Sequence, residues 1–122
     1  MPSGYSELGV ICEIALNANS NVTNTHTVRG TVTRSVNGTT YIQRVNQTNG
    51  ELESIALLNS GTYTPGNVLD ISGGVLNNSN GVPYLDVTNA SLVMNPHLMI
   101  PSLILSITLS MTIPILIPNM WN

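Results

Sequence analysis

The sequence predicts an all-β fold, a small barrel or sandwich followed by an extended, uncharged C-terminal strand. Three observations carry this expectation. Turn signals recur at intervals of roughly 8–12 residues through the body of the chain, the spacing of barrels and sandwiches. Between those signals the apolar residues alternate, and no stretch there shows a helical period. From Leu105 the alternation becomes strict, Leu105, Ile107, Leu109, Met111 and Ile113 with Ser or Thr between them, and the apolar series continues through Ile115 and Ile117.

Composition narrows the function classes. Only 7% of the 122 residues are charged, Lys and Phe are absent, and the formal net charge is -3. The cations are Arg29, Arg34 and Arg44. A nucleic-acid partner needs clustered cations to release phosphate counterions, so none is expected. A surface of amides and hydroxyls fits an exported or virion-surface protein better than a cytosolic enzyme. Cys12 is the single cysteine, which excludes an internal disulfide and reads as a small core residue. The chain has room for one domain plus a tail. The expected organisation is an N-terminal strand and polar linker over residues 1–26, a barrel over 27–97 and a hydrophobic tail over 98–122. Residues 1–5 carry no basic charge, and Glu7 and Glu13 interrupt the apolar run that follows, so no secretory signal is read at the start.

Taken in order, Leu8–Leu16 reads as a first strand, with Val10, Cys12, Ile14 and Leu16 on one face. Asn17–His26 is a polar linker without periodicity, which would let that strand detach. Val28–Arg34 and Thr39–Val45 form a hairpin about Val36, Asn37 and Gly38. A three-residue loop pairs Val32 with Ile42, whereas a strict Asn-Gly turn would set Val32 opposite Gln43. Gly30 in mid-strand suggests a bulge or bend. Leu52–Leu58 is the next strand, its inward set either Ile55 and Leu57 or Leu52, Ala56 and Leu58. Asn59–Asn67 is a loop closing on a Pro65-Gly66 turn. Val68–Gly74 points Leu69 and Ile71 inward and ends on a Gly73-Gly74 kink. Asn77–Gly81 turns into Tyr84–Asn89, and Ala90–Met94 extends or follows that strand.

The segments VRGTVT from Val28, NGTTYIQ from Asn37, YTPGNVLDISG from Tyr63 and NGVPYLDVTNA from Asn80 carry a resemblance. Their order is similar to the OB-fold modules of secreted bacterial nucleases and surface proteins, over about residues 27–94. The resemblance rests on glycine and strand spacing, and it implies a small OB-like Greek-key β-barrel. Two departures stand out. The helix typical of that family between its third and fourth strands has no room in Asn59–Asn67, and the aromatic and basic residues that hold single strands are mostly absent.

No set of residues converges on chemistry. His26 and His97 lack partners at metal or catalytic spacing, so no enzyme activity, catalytic residue, metal or cofactor is expected. Glu51 and Glu53 share a strand face and are expected to meet solvent. Arg34 and Arg44 are expected near each other across the hairpin, pairing with Asp86 or Glu53. Sequons at Asn21, Asn37, Asn46, Asn77 and Asn89 are candidate N-glycosylation sites on an exported chain, with Asn37 and Asn77 in hairpin turns the most accessible.

The tail decides the function class. Leu98–Pro118 contains no charge and has the length of a membrane helix, but Pro114 and Pro118 interrupt a helix and no Lys or Arg flanks it to set orientation. As a strand of its own barrel it would reach about 70 Å at 3.3 Å per residue, too long for the domain. Donation to a neighbouring subunit explains both length and alternation. The expectation is therefore a structural subunit of an extracellular filament or cell-surface appendage, a homopolymer joined head-to-tail by the row Leu105, Ile107, Leu109, Met111, Ile113, Ile115 and Ile117. A virion structural protein follows the same physics. The competing reading is an OB-fold binding module anchored to a membrane by the tail.

Overall fold

The computed structural model describes residues 3–95. The alternating row of the tail, from Leu105 to Ile117, lies outside the described residues, as does His97.

The first element is a helix, α1 (Leu8–Leu16), where the alternation predicts a strand. Over nine residues the two periods overlap. Leu8, Ile11 and Ala15, spaced i, i+3 and i+7, are buried, with Cys12 half-buried beside them, whereas Val10 and Leu16 are among the exposed apolar residues. The segment therefore follows the helical stripe rather than the strand face. Burying Leu8 and Ile11 completely is worth roughly 1.5–3 kcal/mol each. Leu8–Leu16 is therefore not a detachable strand, because α1 belongs to the same core as the sheet.

Eight strands follow: β1 (Val22–Thr23), β2 (Thr27–Val36), β3 (Thr39–Val45), β4 (Leu52–Leu58), β5 (Val68–Ser72), β6 (Val75–Ser79), β7 (Val82–Asp86) and β8 (Ser91–Met94). The all-β class stands, with α1 packed against β6, β7 and β4. The linker also has structure, since β1 pairs with β6. Asn24 is buried there, its side-chain amide donating to the carbonyls of His26 and Gly73.

The strands form one mixed sheet in the order β1-β6-β7-β4-β3-β2-β5-β8. Among the described residues its ladder does not close on itself as a barrel would. Between β5 and β6 the chain bends at Gly73 and Gly74, both at positive φ (82° and 89°). β5 pairs with β2 and β8, whereas β6 pairs with β7 and β1. The predicted kink is thus present, and it hands the chain from one set of partners to another. Gly74 is also required by space, since a β-carbon there would sit 2.6 Å from the Asp86 carbonyl oxygen.

The β2–β3 hairpin pairs Val32 with Ile42 as expected, but by a different device. Its turn has two residues, Asn37 and Gly38, both at positive φ, and Val36 faces Thr39. A bulge between Val32 and Arg34 restores the register. Gly30 is no bulge. It pairs regularly with Leu69 and makes room for Ile42, whose side chain would lie 2.8 Å from an added β-carbon. On β4 the inward pair is Ile55 and Leu57, while Leu52 is 61% exposed. Leu69 and Ile71 point inward from β5, and with Val28, Ile42, Leu57, Leu76 and Leu85 they complete the core.

Candidate functional site

Two features on the outside of this sheet have the character of a site, an apolar cleft and a charged clasp.

The cleft lies on the outer face of β3, β4 and β7. Because Ile55 and Leu57 face the core, the pleat turns Ser54, Ala56 and Leu58 outward. Tyr41 on β3 stands opposite Ala56, and Ala56 stands opposite Tyr84 on β7 in the parallel pairing of β4 with β7. Two tyrosines therefore flank one alanine across three strands. Neighbouring strands lie about 4.8 Å apart, so the Tyr41 and Tyr84 backbones are separated by roughly 10 Å, with the small Ala56 as floor. Thr39, Leu58, Ser79 and Val82 complete a cleft of about 480 Å³. An adjoining depression of about 240 Å³ shares Tyr41, Ala56 and Val82 and adds Ser54, Ile55 and Pro83. Val82 is 60% exposed at its rim. No Asp, Glu, Lys, Arg or His lines either depression.

The clasp is centred on Arg29 and Asp70, cross-strand partners on β2 and β5. Arg29 Nε donates to Asp70 Oδ1 at 2.7 Å and Nη2 donates to Oδ2 at 3.1 Å, a two-pronged ion pair with both side chains largely buried. The Tyr5 hydroxyl donates to Asp70 Oδ2 at 2.9 Å, and the guanidinium stacks 4.7 Å from the Tyr5 ring centre. Asn95 Nδ2 reaches the same carboxylate at 3.4 Å. The hydrogen bond from Arg29, more than its charge, holds the Asp70 carboxyl below its ordinary range, against the opposing effect of burial; the Tyr5 hydroxyl adds to the lowering. Arg29 is held protonated in return. The clasp joins the N-terminal segment, β2, β5 and the residue that follows β8. Asn95 is held a second time, since its amide donates to the Val68 carbonyl at 2.8 Å.

Arg29 and Asp70 form the ion pair that sequence reasoning missed. An Arg and an Asp 41 positions apart give no local signal, and only the β2–β5 register brings them together. The arginine pairing expected from sequence does not form. Arg34 stands opposite Tyr41, and Arg44 stands opposite Glu53 without an ion pair, its Nε buried and without a hydrogen-bond partner among the described residues. Asp86 instead accepts from the Thr88 hydroxyl (2.6 Å) and amide (3.0 Å) and from Asn59. Those bonds, the Thr88 hydroxyl first, lower its pKa.

Glu51 is exposed, as expected, but Glu53 is not a solvent-facing partner to it. Glu53 Oε1 accepts the Gly9 amide at 2.8 Å and Oε2 accepts Asn46 Nδ2 at 3.0 Å. Cys12 is half-buried and donates to the Ser54 carbonyl at 3.1 Å. Burial, and secondarily the Glu53 charge, push its thiol up to about 11. His26 Nδ1 lies 2.8 Å from Ser6 Oγ, a structural contact beside the bridge of Ser6 to Val28. Among the sequon residues, Asn21, Asn37 and Asn89 are exposed. Asn77 lies on β6 rather than in the turn, is half-buried and donates to Asn21. Asn46 is engaged in its own turn, accepting the Thr48 and Asn49 amides.

Among the described residues no three His, Cys, Asp or Glu gather as metal ligands, and no helix is long and apolar enough to cross a membrane. Compared with protein-family models, with curated proteins and with solved structures, the chain matches none of them.

Proposed function

We propose that this protein is a structural subunit that polymerises head-to-tail by donating its C-terminal strand to a neighbour, in an extracellular filament, a surface appendage or a virion. The observation that carries this reading is how the chain leaves the sheet. Among the described residues β8 is an edge strand, paired on one side with β5, and Val93 and Met94 are exposed on it. The Asn95 amide extends the ladder by one more hydrogen bond. The described chain therefore reaches Asn95 still hydrogen-bonded to a sheet edge, which supports strand donation. The uncharged, alternating row from Leu105 to Ile117 lies just beyond. A contact that one copy gives and the next receives is heterologous, and it propagates as an open chain.

The finer fold reading belongs to the same proposal. β2, β3 and β4 form a meander, β4 runs parallel to β7, and β5 and β6 act as one strand bent at Gly73-Gly74. That connectivity supports a partly open, OB-like Greek-key circuit. A chain lacking Leu98–Asn122 is expected to yield monomers or amorphous aggregates and no fibres in negative-stain electron microscopy. Normal fibres from it would overturn the proposal.

One observation favours a second reading. The Tyr41 and Tyr84 rings beside the Ala56 floor offer an oligosaccharide two apolar faces, as an OB-like binding module would. Titration with short glycans, followed by tyrosine fluorescence, separates the two.

A further inference from the structure

We infer that the cleft on β3, β4 and β7 is the acceptor for the Leu105–Ile113 segment of a second copy of this chain. The inference rests on the strand-donation reading above and names its receiving surface, a sheet face rather than an edge, since β3, β4 and β7 are each paired on both sides.

The chemistries match. The donated row is apolar on one side and hydroxyl-bearing on the other, with no charge. The cleft offers Ala56, Leu58, Val82 and two tyrosine rings to the apolar row. At its edges Thr39, Ser79 and the tyrosine hydroxyls offer hydrogen bonds to the backbone of the donated segment. Neighbouring extended chains lie about 4.8 Å apart, so the roughly 10 Å between the flanking tyrosine backbones leaves the width of one extended chain over Ala56.

Reach fits as well. Residues 96–122, extended, span about 90 Å at roughly 3.3 Å each. A domain of this size has a radius of gyration of about 13 Å. Leu105–Ile113 begins some 30 Å of extended chain beyond Asn95, enough to clear the parent domain and meet the next. In the strand order β8 is separated from β3 by β5 and β2, so the exit of the tail and the cleft are different surfaces. A subunit can then give at one and receive at the other.

Two full-length variants test this. Val82→Arg places a charge at the exposed rim of the cleft, and Leu109→Asp places one in the donated row. An unpaired charge in an apolar contact costs more than one decade of affinity, so pelletable polymer is expected to fall at least tenfold for each variant alone. Mixed together they are expected to form one-to-one complexes that stop, because Val82→Arg still donates and Leu109→Asp still receives. Sedimentation velocity reads the species, and far-UV circular dichroism checks that both variants fold. Should Val82→Arg unfold, Val82→Gln repeats the test. If Val82→Arg polymerises like the parent, the inference is overturned and strand donation stands. If Leu109→Asp polymerises like the parent, strand donation itself is overturned. If each variant is monomeric and the mixture stays so, the cleft is not the acceptor.

Discussion

The Glu53 carboxylate accepts the Gly9 amide at 2.8 Å, so a strand residue closes the first turn of a helix 44 positions earlier in the chain. Glu7, at the N-cap, makes no side-chain capping bond, and the first turn holds no acidic residue. The negative charge that favours a helix N-terminus therefore arrives from β4. A β-carbon on Gly9 would collide with that carboxylate. Ala is ordinarily worth about 1 kcal/mol over Gly within a helix. Here Gly9→Ala is expected to lower the urea midpoint, whereas in a Glu53→Ala background the same change is expected to raise it. A double-mutant cycle by urea denaturation reads the change of sign, and an unchanged sign would refute the tertiary cap.

The clasp makes a prediction about acid. Asp70 has a folded pKa below its unfolded value, so its contribution is complete above the unfolded carboxylate range and is lost as pH falls through the folded pKa. Asp70→Asn is expected to cost about 2 kcal/mol at neutral pH, the scale of a charge-assisted hydrogen bond. The gap from the parent should narrow below about pH 4. Thermal denaturation from pH 7 to pH 2 checks this, and a constant gap would contradict it.

Gly74 and Gly30 are both tight but should fail differently. At Gly74 an alanine meets the Asp86 backbone carbonyl and must also hold a positive φ. At Gly30 it meets only the Ile42 side chain. Gly30→Ala is expected to cost the 1–3 kcal/mol typical of overpacking, approximately, and Gly74→Ala more, since backbone strain adds to it. Chemical denaturation of the two variants gives the order, and the reverse order would show that Ile42 is the stiffer neighbour.

Cys12 should be a slow thiol. With its pKa pushed up to about 11, little thiolate exists at neutral pH. Labelling by a thiol reagent is expected to be slow at pH 7.5 in the native protein and to rise to the ordinary rate in denaturant. Fast native labelling would mean that the site opens locally.

Most strands were legible because their signals are local; β1 and β6 were not, since Asn17–His26 reads as a linker and Asn77–Gly81 as a turn. Asn37-Gly38 and Asn80-Gly81 mark turns, though each proves shorter than the loop expected, and the alternation of Leu69 and Ile71 with Asp70 and Ser72 shows which face of β5 is buried. The helix was not legible, because nine residues suit both periods and its caps lie on other strands. The hairpin shows a subtler failure. Val32 does face Ile42, but one bulge residue compensates for one turn residue, and sequence cannot distinguish two errors that cancel. The clasp and the cleft both depend on register between distant strands, which no local pattern records. Tyr41 and Tyr84 are 43 positions apart and meet only because β4 lies between them.

The capping of α1 also sets an order of events. Its first turn waits for Glu53, and its last carbonyls wait for Asn78, whose amide donates to the Ala15 oxygen at 2.8 Å across 63 positions. A nine-residue helix nucleates poorly by itself in water. α1 is thus expected to form late in folding, after β4 and β6 have come together. Substitutions in α1 should leave the folding rate nearly unchanged and speed unfolding, the kinetic signature of a segment that docks on the far side of the transition state.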